Sequence, residues 1–312
     1  MNPVDNLPSV AHLLPESEWH KRALSHATRV DQWTAGRLER AARGSKHPVD
    51  DFLFEYYPTR PRQLRRWHPG LGIALANADY LANDPAYIEI ELDGTRARTV
   101  NVARFEHRRT GLAWVEGLVR RSSERTPRTN CFGLHEWAMV YGLGQDQVRH
   151  DSWPLRLEPS QIRTTVDDVG LRCTHYDAFR FFTAEAAAKN DTMPTRESQP
   201  ELDQPGCLHA TMDLYKWSMK YVSLVGSDLV ADCFELAREG RALDMRAAPY
   251  DLRDLGYEPI CVESASGRAE YVRRQRNLMD DAAPLRARLA AALSRVLGAI
   301  DALPTSLVET PG

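Results

Sequence analysis

The first strong pattern along the chain runs from Glu16 to Arg43. Trp19, Ala23, Ala27, Val30, Trp33 and Leu38 fall near helical spacing, with basic residues between them. That spacing gathers the apolar side chains on one face, so the segment reads as one long amphipathic helix. Gly44-Ser45-Lys46 ends it. His47-Pro48 opens a second helix, because Pro48 suits the first helical position and Asp50 and Asp51 suit the positive end of the dipole. This helix carries Phe52, Leu53, Phe54, Tyr56 and Tyr57 and stops at Pro58. Arg60 to Gly70 is the most basic stretch, and its prolines and glycine mark part of it as loop.

Tyr87 to Leu92 alternates as a strand, Asp93-Gly94 is a turn signal, and Arg98 to Val102 is the expected return strand. Helices are expected over Glu106 to Arg121, Leu134 to Tyr141, Tyr176 to Lys189, Leu208 to Val222, Asp228 to Glu239 and most of Gly267 to Leu303. Ser122 to Asn130 and Asn190 to Gly206 read as polar loops. Pro154 to Val169 reads as irregular with short strands, Asp244 to Pro259 as a loop-rich connection, and Ile260 to Glu263 as a short strand. The pattern is mainly α: a single compact helical domain with a small β-hairpin or minor sheet. Residues 1–46 are expected to pack as an N-terminal helix on a helical catalytic body over 47–303, with a disordered tail over 304–312.

Composition narrows the class of protein. The 312 residues are 43% hydrophobic and 27% charged, an ordinary globular profile. The apolar runs are too short for a membrane span. Met1 to Pro15 has no basic start and no apolar core, so no secretory signal and a cytoplasmic location are expected. Five cysteines without close pairs point to reduced thiols. The formal net charge of −3 is not that of a general nucleic-acid binder, which uses Lys and Arg against phosphates.

Candidate chemistry sits in four segments that each set a histidine near a carboxylate: His47 with Asp51, His135 with Glu136, His175 with Asp177, and His209 with Asp213. In the last, the i, i+4 spacing puts both side chains on one helix face. A neutral imidazole and a carboxylate can converge on a metal ion. The same pair also works without metal, as an oriented base or a buried general base. Each segment is rich in aromatic residues, where titratable groups are costly unless paired. A plain structural role accounts for some of them singly. His47 suits a helix cap, Thr174 to Asp177 fits a T-x-x-D capping box, and His209 with Asp213 suits a buried hydrogen bond. Cys131, Cys173 and Cys207 precede three of the histidines and read as small buried thiols rather than zinc ligands.

Weaker signals lie elsewhere. Gly142-Leu143-Gly144 is too short for a phosphate loop. Arg246 is placed to pair with a substrate anion or to fix its own loop. Arg180 is placed to hold Asp177 or a ligand. Arg62, Arg65, Arg66 and Trp67 combine cations with a stackable ring, as a flipped-base site would.

The strings HPVDDFLFEYYPTRPRQLRRWHPG (His47 to Gly70), FGLHEWAMVY (Phe132 to Tyr141), CTHYDAFRFFT (Cys173 to Thr183) and QPGCLHATMDLYKW (Gln204 to Trp217) carry a resemblance. They resemble a family of actinobacterial proteins labelled 3-methyladenine DNA glycosylase, over about His47 to Arg276. The resemblance implies hydrolysis of the N-glycosidic bond of an alkylated purine. The chain has neither the glycine-rich hairpin of helix-hairpin-helix glycosylases nor a visible helical repeat. A cationic base needs little leaving-group help, so a carboxylate and an aromatic pocket suffice. Asp213, Asp177 and Asp51 are the available carboxylates, and Trp67, Tyr57 and Trp217 the available rings.

Three functions stay open. The first is a nucleobase-directed hydrolase acting on alkylated DNA or a small molecule. Its catalytic candidates are Asp213, His209, Asp177 and His175, and its binding candidates Arg66, Trp67, Arg180, Tyr57, Trp217 and Arg246. The second is an iron or zinc enzyme with ligands among His47, Asp51, His135, His175, His209, Asp177 and Asp213. The third is a non-catalytic helical binding protein.

Overall fold

Trp19 ties the N-terminal helix to a small sheet, and that contact organises one end of the computed structural model, which describes residues 12–148 and 152–304. Strand β1 (His12–Leu14) runs straight into α1 (Glu16–Ala42). The α1 stripe of Trp19, Ala27 and Val30 is buried, and the Trp19 indole donates to the Ala76 carbonyl at 2.8 Å. After two short helices, α2 (Phe52–Tyr56) and α3 (Pro61–Arg65), come β2 (Ile73–Ala76), β3 (Tyr87–Leu92) and β4 (Thr95–Val100). The sheet order is β1-β2-β4-β3, with β1 parallel to β2 and the other pairs antiparallel. Asp93 (φ 50°) and Gly94 (φ 72°) make the two-residue hairpin turn with both residues left-handed, as the Asp-Gly signal requires. Strands β1 and β2 are too short to stand out in the sequence.

The helical body continues with α4 (Arg109–Glu124), α5 (Leu134–Val140), α6 (Pro159–Val169), α7 (Tyr176–Phe179), α8 (Ala184–Ala187) and α9 (Gln199–Leu202). It closes with α10 (Leu208–Lys220), α11 (Val222–Val225), α12 (Ser227–Ala247) and α13 (Ala265–Asp301). Helix α10 packs against α12 and α13, and α13 packs against α4. Gly240 lets α12 approach α10 closely: a Cβ there would lie 2.9 Å from Met212 Cγ. The architecture is mainly α with a small mixed sheet. No helix among the described residues is long and apolar enough to cross a membrane.

Several local expectations are corrected. Residues 154–169 are not irregular throughout, because α6 starts at Pro159 with Glu158 and Gln161 in a capping box. The expected helix over Tyr176 to Lys189 is broken into α7 and α8. The Thr183 amide bonds to the Ala138 carbonyl of α5, and its hydroxyl caps α8. Helix α12 runs on to Ala247, so Asp244 is helical rather than in a loop. Ile260 to Glu263 forms no strand; the Ile260 amide bonds instead to the Arg246 carbonyl. The tail from 305 onward lies outside the described residues.

Candidate active site

Helix α10 is buried on nearly every side. Leu208, Met212, Leu214 and Tyr215 are apolar and buried, and so are the polar His209 and Asp213. A buried ionisable group is stable only when paired, so its neighbours decide its state. These two residues, one turn apart, face different partners.

Asp213 belongs to the first group. Its Oδ1 accepts the Tyr57 hydroxyl at 2.9 Å, and its Oδ2 accepts Lys216 Nζ at 3.2 Å. The same ammonium reaches Asp177 Oδ2 at 2.8 Å. His175 Nδ1 is 3.0 Å from Asp203 Oδ1, and Gln199 steadies the other Asp203 oxygen at 2.9 Å. His175 Nε2 is buried, has no hydrogen-bond partner among the described residues and lies 3.8 Å from Asp213 Oδ2.

His209 belongs to the second group. His135 Nε2 is 2.6 Å from Asp244 Oδ1. One Arg241 nitrogen donates to Asp244 Oδ2 at 2.9 Å and to Glu136 Oε1 at 2.7 Å, while its guanidinium lies 3.7 Å from the Phe52 ring centroid. The His209 ring is edge-on to His135 at 4.4 Å and nearly parallel to His175 at 5.4 Å. Phe132 (φ 51°) and Gly133 (φ 71°), both left-handed, turn the chain into α5 and so set His135 and Glu136. A side chain at Gly133 would meet the Tyr271 ring at 3.2 Å.

Electrostatics separate the three imidazoles. Burial disfavours a charged His135 and His175, yet Asp244 and Asp203 respectively outweigh it and raise both pKa values. Burial, reinforced by His135, pushes His209 well below its ordinary value, so it stays neutral. Burial also opposes the Asp177 charge, but Lys216, His175 and Arg180 pull its pKa below the usual carboxylate range. Glu136, Asp177, Asp213 and Asp244 face the cations Lys216, Arg180 and Arg241, and Asp203 faces His175.

A small pocket reaches this cluster. Phe52, Tyr56, Phe181 and Tyr250 supply its aromatic lining, and Glu136, Asp177 and His209 its polar lining. Phe52, Tyr56 and Phe181 also line a wider outer cleft with Lys46, His47, Trp153 and Arg180. A second small pocket brings Cys131, Cys173 and Cys207 to His135 and His209. The thiols are unpaired, and none joins a group able to share an ion among the described residues.

The structure sorts the sequence candidates. His135, His175, His209, Asp177, Asp213 and Tyr57 come together, and Arg180 lies at the cleft, 3.2 Å from Asp177. His47 and Asp51 do not join them as ligands. His47 Nδ1 accepts the Asp50 and Val49 amides, and Asp51 binds Arg40 and the His47 amide. The capping box expected at Thr174 does not form; His175 holds the cap position of α7 without a side-chain cap bond. Arg66 pairs with Asp84, and the buried Trp67 donates to Asp228. Trp217 packs edge-on to Trp114. Arg246, in the last turn of α12, donates to the Glu258 carbonyl in the connection that follows. None of these last four lines the aromatic pocket. Asp203, Lys216, Arg241 and Asp244 escaped the sequence reading. Only the i, i+3 spacings of Lys216 to Asp213 and Arg241 to Asp244 signalled two of the pairs. No family model, curated protein or solved structure matches the chain.

Proposed function

We propose that the chain is an enzyme that hydrolyses the N-glycosidic bond of a small molecule carrying a cationic, planar base, an N-alkylated purine nucleoside being the fitting class. The observation that carries this reading is the pocket in which four aromatic rings share the lining with Asp177 and Glu136, each paired with a cation. Aromatic faces and carboxylates both attract a delocalised cation. A positively charged base leaves without prior protonation, so the demanding step is stabilising the sugar as it becomes an oxocarbenium ion. Asp177 serves that step and directs the attacking water. Lys216 and Arg180 hold Asp177 in place, and with His175 they keep it ionised. The resemblance to proteins labelled 3-methyladenine DNA glycosylase agrees in chemistry. The net charge of −3 and arginines spent on carboxylates, such as Arg29, Arg65 and Arg109, favour a small substrate over duplex DNA.

The test is release of free base from N7-methylguanosine and, in a parallel arm, from alkylated duplex DNA. The nucleoside is expected to be cleaved, with Asp177→Asn slower by about 100-fold or more. Base release from neither substrate above the Asp177→Asn background overturns the reading. Release from DNA alone moves the substrate class to nucleic acid.

A further inference from the structure

We propose that His135, His209 and Asp244 bind one divalent first-row transition ion of the zinc or iron(II) type. The three side chains come from α5, α10 and α12, and all three are buried. Their nearest donor atoms lie within 4.8 Å of one another. Donor atoms on one tetrahedral ion stand roughly 3.4 Å apart, so closure asks for shifts of about one ångström. Two imidazoles and one carboxylate suit such an ion and leave further positions for water or substrate.

A second observation points to a ligand independently. The His209 side chain is only 7% exposed, and among the described residues nothing hydrogen-bonds to its ring. That ring lies against His135 and His175 and lines two pockets, so an ion arriving from either reaches it. Asp244 is prepared in the same sense. Arg241 holds Oδ2 at 2.9 Å, which turns Oδ1 toward His135. Outer contacts of this type orient metal ligands. His209 lines both the aromatic pocket and the cysteine-lined pocket, so a bound ion stands where the two meet.

The neighbouring group of His175, Asp177 and Asp213 has comparable spacing but a different content. Lys216 Nζ already stands between its two carboxylates, at 2.8 and 3.2 Å. An ammonium in that position fills the cation site with the protein's own charge. The proposal therefore assigns the ion to the His209 group, and it stands apart from the hydrolysis reading.

The test titrates chelator-treated, full-length protein with Co²⁺ and measures the metal retained after gel filtration. The wild type is expected to keep about one equivalent and to show visible absorption bands of nitrogen-ligated Co²⁺. His209→Gln and Asp244→Asn are expected to weaken binding by more than the roughly 10–100-fold that losing an outer contact costs. Asp177→Asn is expected to keep the ion while losing base release, so failure of one reading is separable from failure of the other. Wild-type protein that retains no Co²⁺, Zn²⁺ or Fe²⁺ overturns the proposal. So does unchanged binding in folded His209→Gln. Should that variant not fold, the Co²⁺-shifted imidazole N–H resonances of the wild type decide. Two ligand histidines support the site, and any other number overturns it.

Discussion

Asp213 and His209 stand one turn apart on the same buried helix, yet their surroundings treat them in opposite ways. Asp213 sits among matched partners: a tyrosine hydroxyl on one oxygen and a lysine ammonium on the other. His209 sits between two other imidazoles and receives no hydrogen bond among the described residues. In the Asp213 group Lys216 supplies the counter-charge to both Asp213 and Asp177, although His175 Nε2 has no hydrogen-bond partner among the described residues. In the His209 group the ring lies against two imidazoles rather than a counter-charge. Equal spacing along one helix therefore says little about role. What matters is whether the packed elements deliver a counter-charge, and α10 delivers Lys216 to one group while α12 commits Arg241 to the far side of the other.

The largest effect that sharpens this contrast is expected from Arg241→Met. Arg241 is buried, and its loss strands Asp244 and Glu136 without their cation. Stability should fall by roughly 3–5 kcal/mol, read from urea unfolding. A loss below about 1 kcal/mol would mean that the pair is relieved by water or by protonation.

Lys216→Met tests the other side and is expected to be milder. The lysine side chain is 26% exposed, so the cost should be roughly 1–3 kcal/mol. The variant also bears on the comparison directly. With the ammonium gone, His175, Asp177 and Asp213 are expected to take up an ion of their own, raising retained Co²⁺ from about one to about two equivalents. Retention that stays at the wild-type level would show that Lys216 is not what separates the two groups.

The smallest effect belongs to Asp51, the carboxylate that the structure leaves outside the site. Burial opposes its charge, but Arg40, the His47 amide and Arg37 outweigh this and lower its pKa. A folded-state pKa below the unfolded one adds stability at pH above the ordinary carboxylate value. That contribution is lost as pH falls through the depressed value. Asp51→Asn should cost roughly 1–2 kcal/mol at neutral pH, and the difference from wild type should shrink below about pH 4. Metal retention should not change, since Asp51 belongs to neither ligand group. A pH-independent difference would assign its role to shape rather than charge.

Much of the fold was legible because its cues are local. The α1 stripe, the Asp93-Gly94 turn and the apolar periodicity of α10 and α13 depend on neighbours within a few positions. Where tertiary contacts overrode the local pattern, the reading failed. The Thr183 amide bonds to α5 and breaks one expected helix. Asp244 was read as loop because a polar stretch on a buried helix looks like a connection.

The sequence alone determined a mainly helical chain with a hairpin, and it marked His135, His175, His209, Asp177 and Asp213 as candidate chemistry. Their types and aromatic surroundings are written in short strings. Only the tertiary structure decided that His47 and Asp51 stay apart from that chemistry. It also decided that Asp203 and Asp244 serve two of the histidines and that Lys216 and Arg241 divide the carboxylates between two groups. The physical reason is distance along the chain. His135 and Asp244 are 109 positions apart, and only their meeting in the core sets their charge states.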